Sequence, residues 1–598
     1  MFKYRKEIDG LRGISIICVL LFHAKIPLFS GGFFGVDIFF VISGYLITNI
    51  ILNLYNTNKF DITFFYERRI RRIIPALYVV LIFLCVYSYF FQSPYFSKDL
   101  SQSIFFTPIF LQNFLNLYES AQYFSLSYDF KSLGHTWSLS IEEQFYVLYP
   151  IFFLILVKFS KKYLKICLTI LFITSLLIYF YMGTDNSRVY FFFSPSRIWE
   201  ILAGCLLALN INVNKKSKFY TLVGALLIIF SIIFEEFFNQ QLLLRITVVL
   251  GTVIILLNSS DSKECIVSNI LKNKILVFFG LISYSLYLWH VPIYSIYRDF
   301  FTFELNIVQN FILITSAIFV SYLSFKFIET PFRNKKMIST NFIYSSFIIG
   351  IIVFTTFGFF GHKYDGFENI KINKLADDRE KFYISFMDER NKIKNFKLKE
   401  IDKNDDQILV VGDSLADDVV LSLSTQNISA IRFNVNGPCF YALATDGFCR
   451  EVYLENLIEE ALKSKLVILS TDYANEKSEK GGIKLYNLLL KKKIPVKVIG
   501  ALNFKYISSS SYRYAKYTFY GSHENFYFDN IQPNVFSSNN LLKEKIKDNY
   551  IDKFGFVCNK SKKECKIYNK DFKPLFYDTK HLTVDGYFEF GNYLKDKI

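Results

Sequence analysis

Nine cysteines are present, yet no two stand in C-x2-C spacing. That removes the ligand pattern of zinc ribbons and fingers and leaves no metal to expect. No segment of the chain repeats, which excludes solenoids and propellers. Histidine is scarce, six in 598 residues, so chemistry that needs an imidazole has few places to be. Acidic residues are outnumbered, 52 against 68 basic, for a net charge of +16. The excess does not mark a nucleic-acid binder. Much of it sits in short loops between apolar runs, where basic residues hold a membrane protein's loops on the cytoplasmic face. The first apolar run lacks a small-residue cleavage site and a second follows at once, so the expectation is an uncleaved helix rather than a signal peptide.

Apolar surface is what the chain has in abundance. It is 52% hydrophobic and 19% aromatic, with 68 Phe and a mean hydropathy of +0.27, too apolar for a soluble protein of this length. Runs lie at about 14–30, 36–54, 73–91, 139–157, 166–182, 190–211, 219–235, 242–257, 275–297, 306–328 and 341–361. Each is long enough, or nearly so, to cross a hydrocarbon core of about 30 Å. Residues 101–118 are broken by Pro108, Gln112 and Asn113 and read as a re-entrant or interfacial segment. With eleven crossings, the basic clusters at Arg68–Arg69 and Arg71–Arg72, at 158–165, 215–218, 263–274 and 333–336 all share a side with Lys3, Arg5 and Lys6. That side is then cytoplasmic and the chain beyond 361 is outside. The expected organisation is a membrane domain over 1–335 of about ten helices, with an eleventh over 336–361 carrying the chain outward. A charged linker over 362–405 and a second domain over 406–598 follow.

The second domain opens differently. QILVV, ISAIRF, KLVILS and IPVKVIG are short β-branched runs separated by helix-compatible segments, the pattern of an open α/β sheet. Residues 503–576, rich in Tyr, Asn, Ser and Lys, read as a long insertion. Cys439 and Cys449, and Cys558 and Cys565, form two close pairs suited to disulfide-closed loops in an oxidising compartment. Cys18, Cys85, Cys167, Cys205 and Cys265 lie in or beside the apolar segments and read as inert small hydrophobes.

Chemistry concentrates first in residues 8–44. Arg12 and His23 are eleven positions apart, about 16 Å along a helix and about 20° from the same face. Ionisable groups in such a run line an internal cavity more readily than a lipid face. The residues Asp9-Gly10-Leu11-Arg12-Gly13, the Arg12–His23 spacing and GFFGVDIFFVISGYLI resemble the acyltransferase-3 family of membrane acyltransferases. HTWSLSIEEQFY at 135–146 and ISYSLYLWHVP at 282–292 strengthen the resemblance. It implies acetyl-coenzyme A as donor and a glycan hydroxyl as acceptor. His23 is the candidate base, and Arg12, Arg68, Arg69, Arg71 and Arg72 are candidate ligands for the donor's phosphates, which guanidinium suits. Topology alone is the competing reading of those arginines. His135 and Glu142, seven residues apart, are candidates on one face of the fourth long helix, against a plain acidic helix start. Arg197 and Glu200 read as a structural pair. Asp37 reads as orienting His23 or capping a helix, and His290 matches a family motif without a step to perform.

In QILVVGDSLADDVVLSL, Ser414 falls at a strand-to-helix turn, where backbone N–H groups can hold an oxyanion. Asp578 and His581 stand three residues apart in LFYDTKHLTVDGY. Together these resemble the GDSL/SGNH hydrolase family. The resemblance implies Ser414 as nucleophile, His581 as base, Asp578 as its partner and Gly437 as an oxyanion donor with Ser414. The family's Gly-x-Asn-Asp block is missing, and Asp472 stands near its Asn position. A helix-capping Asp413–Ser414 with an unrelated histidine is the plainer reading.

The fold expected is therefore a polytopic α-helical bundle followed by an α/β/α SGNH-like domain. The function expected is an O-acetyltransferase of the inner membrane. It moves acetyl from cytoplasmic acetyl-coenzyme A to an outer glycan such as lipopolysaccharide O-antigen or lipooligosaccharide, with peptidoglycan as the other acceptor. An acyl or lipid transporter with a glycan-binding outer domain, and an anchored esterase, are the rival classes.

Overall fold

A computed structural model describes residues 4–92, 94–120, 128–183, 189–209, 217–238, 241–258, 265–300, 305–367, 407–435, 448–473, 476–504, 526–527, 531, 533–559, 561, 564–566, 575–576 and 580–598. The chain forms two compact units, Met1–Phe367 and Glu368–Ile598. The expected linker lies almost wholly outside the described residues.

The first unit is helical. Its helices are α1 (Lys6–His23), α2 (Gly35–Asn56), α3 (Ile62–Phe90), α4 (Pro94–Phe106), α5 (Gln112–Ser120), α6 (Trp137–Phe159), α7 (Lys161–Gly183) and α8 (Val189–Phe192). Then come α9 (Ser194–Leu209), α10 (Lys218–Ile233), α11 (Gln241–Asn258), α12 (Ile266–Leu271), α13 (Lys274–Phe300), α14 (Ile307–Ser324), α15 (Thr330–Arg333) and α16 (Thr340–Lys363). Eight of them (α2, α3, α6, α7, α11, α13, α14 and α16, with flanking turns) are long and apolar enough to cross a membrane. The other three expected runs are also helices, but α1 carries four charged residues and α9 and α10 have only 16 residues each. Residues 94–120 fold as two short helices joined by a turn. The 13 residues of α4 reach about 20 Å at 1.5 Å each, short of a crossing.

Boundaries differ from the apolar runs where the backbone intervenes. The first helix spans 6–23, not 14–30, so His23 is its last residue rather than an interior one. Pro27 cannot continue a helix, and Lys25 and Leu28 adopt positive φ (54° and 72°), which ends it. α14 runs on through a π-turn at Phe325–Glu329 into α15.

Two glycine contacts bring helices unusually close. A Cβ on Gly10, Gly13 or Gly280 would lie 1.7–2.0 Å from the carbonyl oxygens of Leu271, Leu276 and Asp9 respectively. Gly13 and Gly280 therefore bring α1 and α13 into backbone contact, and Gly10 brings α1 against the end of α12, as small residues allow in membranes. Gly44 and Gly204 do the same for α2 and α9, with Cβ positions 1.9 and 2.0 Å from Ile201 and Val41 carbonyls. Beside that second contact sits a closed charge cluster. Asp37 pairs with Arg197 at 2.7 Å and Arg245 at 2.9 Å, and Arg197 pairs with Glu200 at 2.7 Å. The Arg197–Glu200 pair is as expected. Asp37, by contrast, turns toward these arginines and neither orients His23 nor serves only as a cap. Two cations and two anions leave the cluster neutral, which lets it exist at 0–1% exposure.

The second unit is an α/β domain. Strands β1 (Ile408–Gly412), β2 (Ala430–Asn434), β3 (Leu466–Ser470), β4 (Val496–Ile499) and β6 (Tyr550–Ile551) form a parallel sheet in the order β2-β1-β3-β4-β6. The first four coincide with the four β-branched runs. Residues 503–576 are not simply an insertion, because they supply a helix at Pro533–Ile546, the edge strand β6, and a small antiparallel sheet. That sheet contains β5 (Phe526–Tyr527), β7 (Cys558–Asn559) and β8 (Glu564–Cys565). The Cys558–Cys565 disulfide is formed across β7 and β8 with Cα atoms 3.9 Å apart. Cys439 and the side chain of Cys449 lie outside the described residues.

Overpacking a backbone contact of the α1–α13 kind costs about 1–3 kcal/mol. Gly280→Val is therefore expected to lower the thermal unfolding midpoint of the detergent-purified protein by several degrees. Ile312→Val, at a side chain 55% exposed on α14, should leave it unmoved.

Candidate active sites

In the first unit the α1–α13 contact sets the site. Arg12 donates to Ser283 Oγ at 2.8 Å and pairs with Asp9 at 3.4 Å. It lines a cavity with Arg69, Arg72, Glu142, Glu143, Tyr146 and Tyr287. Glu142 accepts from Ser43 and Tyr146, and Arg69 lies over the Tyr146 ring at 4.9 Å. A second cavity shares Ile50, Arg69 and Arg72 with the first and adds Arg68, Arg71, Arg333 and Lys335. The two together form a basic vestibule leading to a deeper pocket that carries acids and tyrosines.

The arginine cluster of α3 divides here. The Arg71 guanidinium is taken up by Glu67 at 2.8 Å and the carbonyls of Ile338 and Phe332 at 2.9 and 3.2 Å. It is 2% exposed and staples α3 to the segment before α16. Arg68, Arg69 and Arg72 line the vestibule as Arg71 does, but without its pairing to Glu67. Sequence reading missed Arg333 and Lys335, which fold back from the α15 end.

Glu142 and His135 do not share a face as expected. A 3-10 turn at Gly134–Thr136 precedes α6, so the seven-residue spacing is not two α-turns. His135 instead joins the other two histidines of the unit's interior. The His23 and His290 rings are 5.0 Å apart, and those of His135 and His290 are 5.2 Å apart. Tyr287 stands between this group and the cavity, donating to the His135 carbonyl at 2.6 Å while it lines the pocket. Ser283, Tyr287 and His290 follow one another at four- and three-residue steps, one face of α13. That spacing was the available signal for them.

The turn carrying His135 is anchored by Lys131, which pairs with Asp99 at 3.0 Å and Glu119 at 2.8 Å. Burial alone would lower the Lys131 pKa, but the two carboxylates outweigh it and hold it above the ordinary lysine value. Beyond the histidines, Arg298 donates to the His23 carbonyl at 2.9 Å and pairs with Asp129 at 3.0 Å.

In the second unit, β1 ends at Gly412, where a Cβ would meet the Ser470 carbonyl oxygen at 1.7 Å. Only glycine permits that approach. The next helix, Ser414–Ser424, is capped by Asp413, whose carboxylate accepts from Leu415 N–H at 3.0 Å and Thr471 Oγ1 at 2.7 Å. Ser414 thus sits at a helix N-terminus. Its Oγ lies 2.8 Å from His581 Nε2, joining residues 167 positions apart. Asp418, one turn after Ser414 and unremarked in the sequence, makes that meeting possible. It is 2% exposed and accepts from the Leu582 amide at 3.1 Å, pinning the histidine's segment to the helix. Asp472 pairs with Lys580 at 3.1 Å and so stands as an acceptor, not as the amide donor an Asn would supply. Asp578 and Gly437 lie outside the described residues. Among those residues no group of histidine, cysteine and carboxylate side chains is placed to hold a metal.

A profile described as an acyltransferase domain matches residues 5–326. The chain belongs to the acyltransferase-3 family. It is 35% identical over 359 residues to the peptidoglycan O-acetyltransferase OatA of Listeria monocytogenes, covering 56% of this chain and 57% of that protein. It is 31% identical over 358 residues to the O-acetyltransferase OatA of Staphylococcus aureus, covering 56% and 58%. The chain therefore spans under three-fifths of the length of these curated relatives. No solved structure matches it. The acyltransferase-3 unit is followed by an α/β unit with a parallel sheet, the SGNH-like fusion that the motifs pointed to.

A serine–histidine pair at hydrogen-bond distance has the geometry of an activated nucleophile. A fluorophosphonate probe on the full-length protein is expected to label Ser414. Labelling should disappear in Ser414→Ala and slow by about 100-fold or more in His581→Ala. Equal labelling of wild type and His581→Ala would remove the pair from catalysis.

Proposed function

We propose that this chain is a membrane O-acetyltransferase that takes acetyl from acetyl-coenzyme A and passes it to a hydroxyl of a glycan. The observation that carries the reading is the basic vestibule continuous with a cavity at the α1–α13 contact of an acyltransferase-3 unit. Coenzyme A is a polyanion with a long thin arm. Arg68, Arg69, Arg72 and Arg333 suit its phosphates, and the cavity past Arg12 suits the arm that ends in the thioester. Glu142, Tyr146 and Tyr287 line the path toward the histidine group that holds His23 and His135 and takes up the proton in the transfer.

The vestibule side is cytoplasmic on the charge of its loops, and the chain after α16 lies outside the cytoplasm in the cell's inner membrane system. In the second unit Ser414 serves as nucleophile and His581 as its base. Asp578 is their third partner, and the Ser414 and Gly437 amides hold the oxyanion. The Cys558–Cys565 bridge, and a Cys439–Cys449 bridge with it, fit an oxidising outer compartment. Between the two acceptors considered, peptidoglycan moves ahead of lipopolysaccharide, because a relative's name specifies it. The motif-rich, charge-lined cavity weighs against a bare anchor for an esterase.

Mass spectrometry of wall glycans and of outer polysaccharide, with and without the protein, tests the acceptor. Base-labile acetyl groups are expected on peptidoglycan only when the protein is present. Ser414→Ala should abolish this acetylation while leaving coenzyme A release by the membrane unit partly intact, and His23→Ala should abolish both. Arg72→Ala should raise the KM for acetyl-coenzyme A about tenfold at unchanged thermal stability, whereas Arg71→Ala should mainly lower stability, by about 3–5 kcal/mol, since it strips Glu67 of a buried partner. Glycan acetylation at wild-type level in Ser414→Ala would reduce the second unit to acceptor binding.

A further inference from the structure

His290 has no part in the scheme so far, yet it stands at the centre of the histidine group. It is fully buried on α13. Its Nδ1 lies 3.0 Å from the carbonyl oxygen of Leu286, one helical turn earlier. A carbonyl can only accept, so Nδ1 carries the proton and the neutral ring keeps its lone pair on Nε2. That Nε2 is buried and has no hydrogen-bond partner among the described residues, and neither ring nitrogen of His135 has one. The His23 ring lies 5.0 Å away and the His135 ring 5.2 Å away. Tyr287, which lines the arginine-bearing cavity, is 5.6 Å away, ring to ring. A buried lone pair left without a donor is rare in a native fold, and next to the cavity-lining Tyr287 it marks a place for a reactant's proton.

We propose that His290 is a catalytic base of acyl transfer in the membrane unit, acting through Nε2. As an acceptor hydroxyl oxygen attacks the thioester carbonyl carbon, its proton passes to His290 Nε2. The carbon–sulfur bond then breaks, and the proton goes from Nε2 to the leaving thiolate. Thioester and hydroxyl become ester and thiol, and the imidazole returns to its starting form. The Leu286 carbonyl holds the tautomer throughout and stabilises the imidazolium while it lasts. His23, the last residue of α1, and His135 flank this base. The assignment rests on the acyltransferase reading above and names the proton acceptor within it.

The test uses the full-length protein purified in detergent and follows thiol release from acetyl-coenzyme A. In His290→Asn the side-chain amide can still donate to the Leu286 carbonyl, but nothing replaces Nε2. A residue that only packs or only anchors through Nδ1 would tolerate this change. The expected result is a fall in kcat of about 100-fold or more, with the KM for acetyl-coenzyme A within threefold of wild type and an unchanged thermal midpoint. His290→Gln, closer in length to the ring, covers the case where His290→Asn fails to fold and is expected to lose the same activity. Turnover within threefold of wild type in either folded variant overturns the proposal and leaves the acyltransferase reading standing. A wild-type protein that releases no thiol overturns both.

Discussion

The backbone contact between α1 and α13 is the constraint on which the membrane site depends. Gly13 and Gly280 leave no room for a side chain, so the two helices are locked at one separation and one rotation, and Gly10 seats α1 equally closely on the end of α12. That geometry sets Arg12 against Ser283 near one end and His23 against His290 near the other. A side chain at Gly13 or Gly280 would push the helices apart and separate both pairs at once. The proposed binding and proton-transfer groups are thus aligned by residues that perform no chemistry themselves.

The neutral cluster of Asp37, Arg197, Glu200 and Arg245 complements this from the other side of the bundle. Its charges are matched two to two and stacked on aromatic rings, Arg197 over Trp137 and Phe191 and Arg245 over Phe191. Removing one member would strand a buried ion, the costly case for such pairs. The arginines facing the vestibule contrast with it, since among the described residues Arg68, Arg69 and Arg72 form no ion pair like that of Arg71 with Glu67. The chain thus cancels charge completely at one buried place and pairs it less tightly at another.

The second unit builds its site by a different route. Parallel strands bring Gly412 and Ser470 side by side, and the carboxyl ends of an open parallel sheet are where such folds place their chemistry. Asp413 caps the helix and Asp418 holds the returning chain, so Ser414 and His581 meet although 167 residues separate them. Two acids with structural duties thereby bring an ordinary serine within hydrogen-bond distance of a histidine.

Much of this was legible in the sequence. Hydrophobic runs marked every long helix, because crossing lipid demands length and apolarity that nothing else mimics. β-branched runs marked four of the five parallel strands. The two-residue β6 escaped, being too short to carry a pattern. Motif spacing placed Arg12 and His23 on one face, and the resemblance to a hydrolase family paired Ser414 with His581. What only the tertiary structure decided were the partners. Asp37 lies only fourteen residues after His23 in sequence, yet its carboxylate is claimed by arginines 160 and 208 positions further on. Arg71 and Arg72 are neighbours in sequence but turn to different surroundings, because a helix rotates about 100° per residue. His135 left Glu142 for His290 because a single 3-10 turn changed its direction. Local periodicity determines which residues form an element and which face they occupy. Which faces meet, and therefore which charges cancel and which remain for a ligand, is settled by packing among residues hundreds of positions apart.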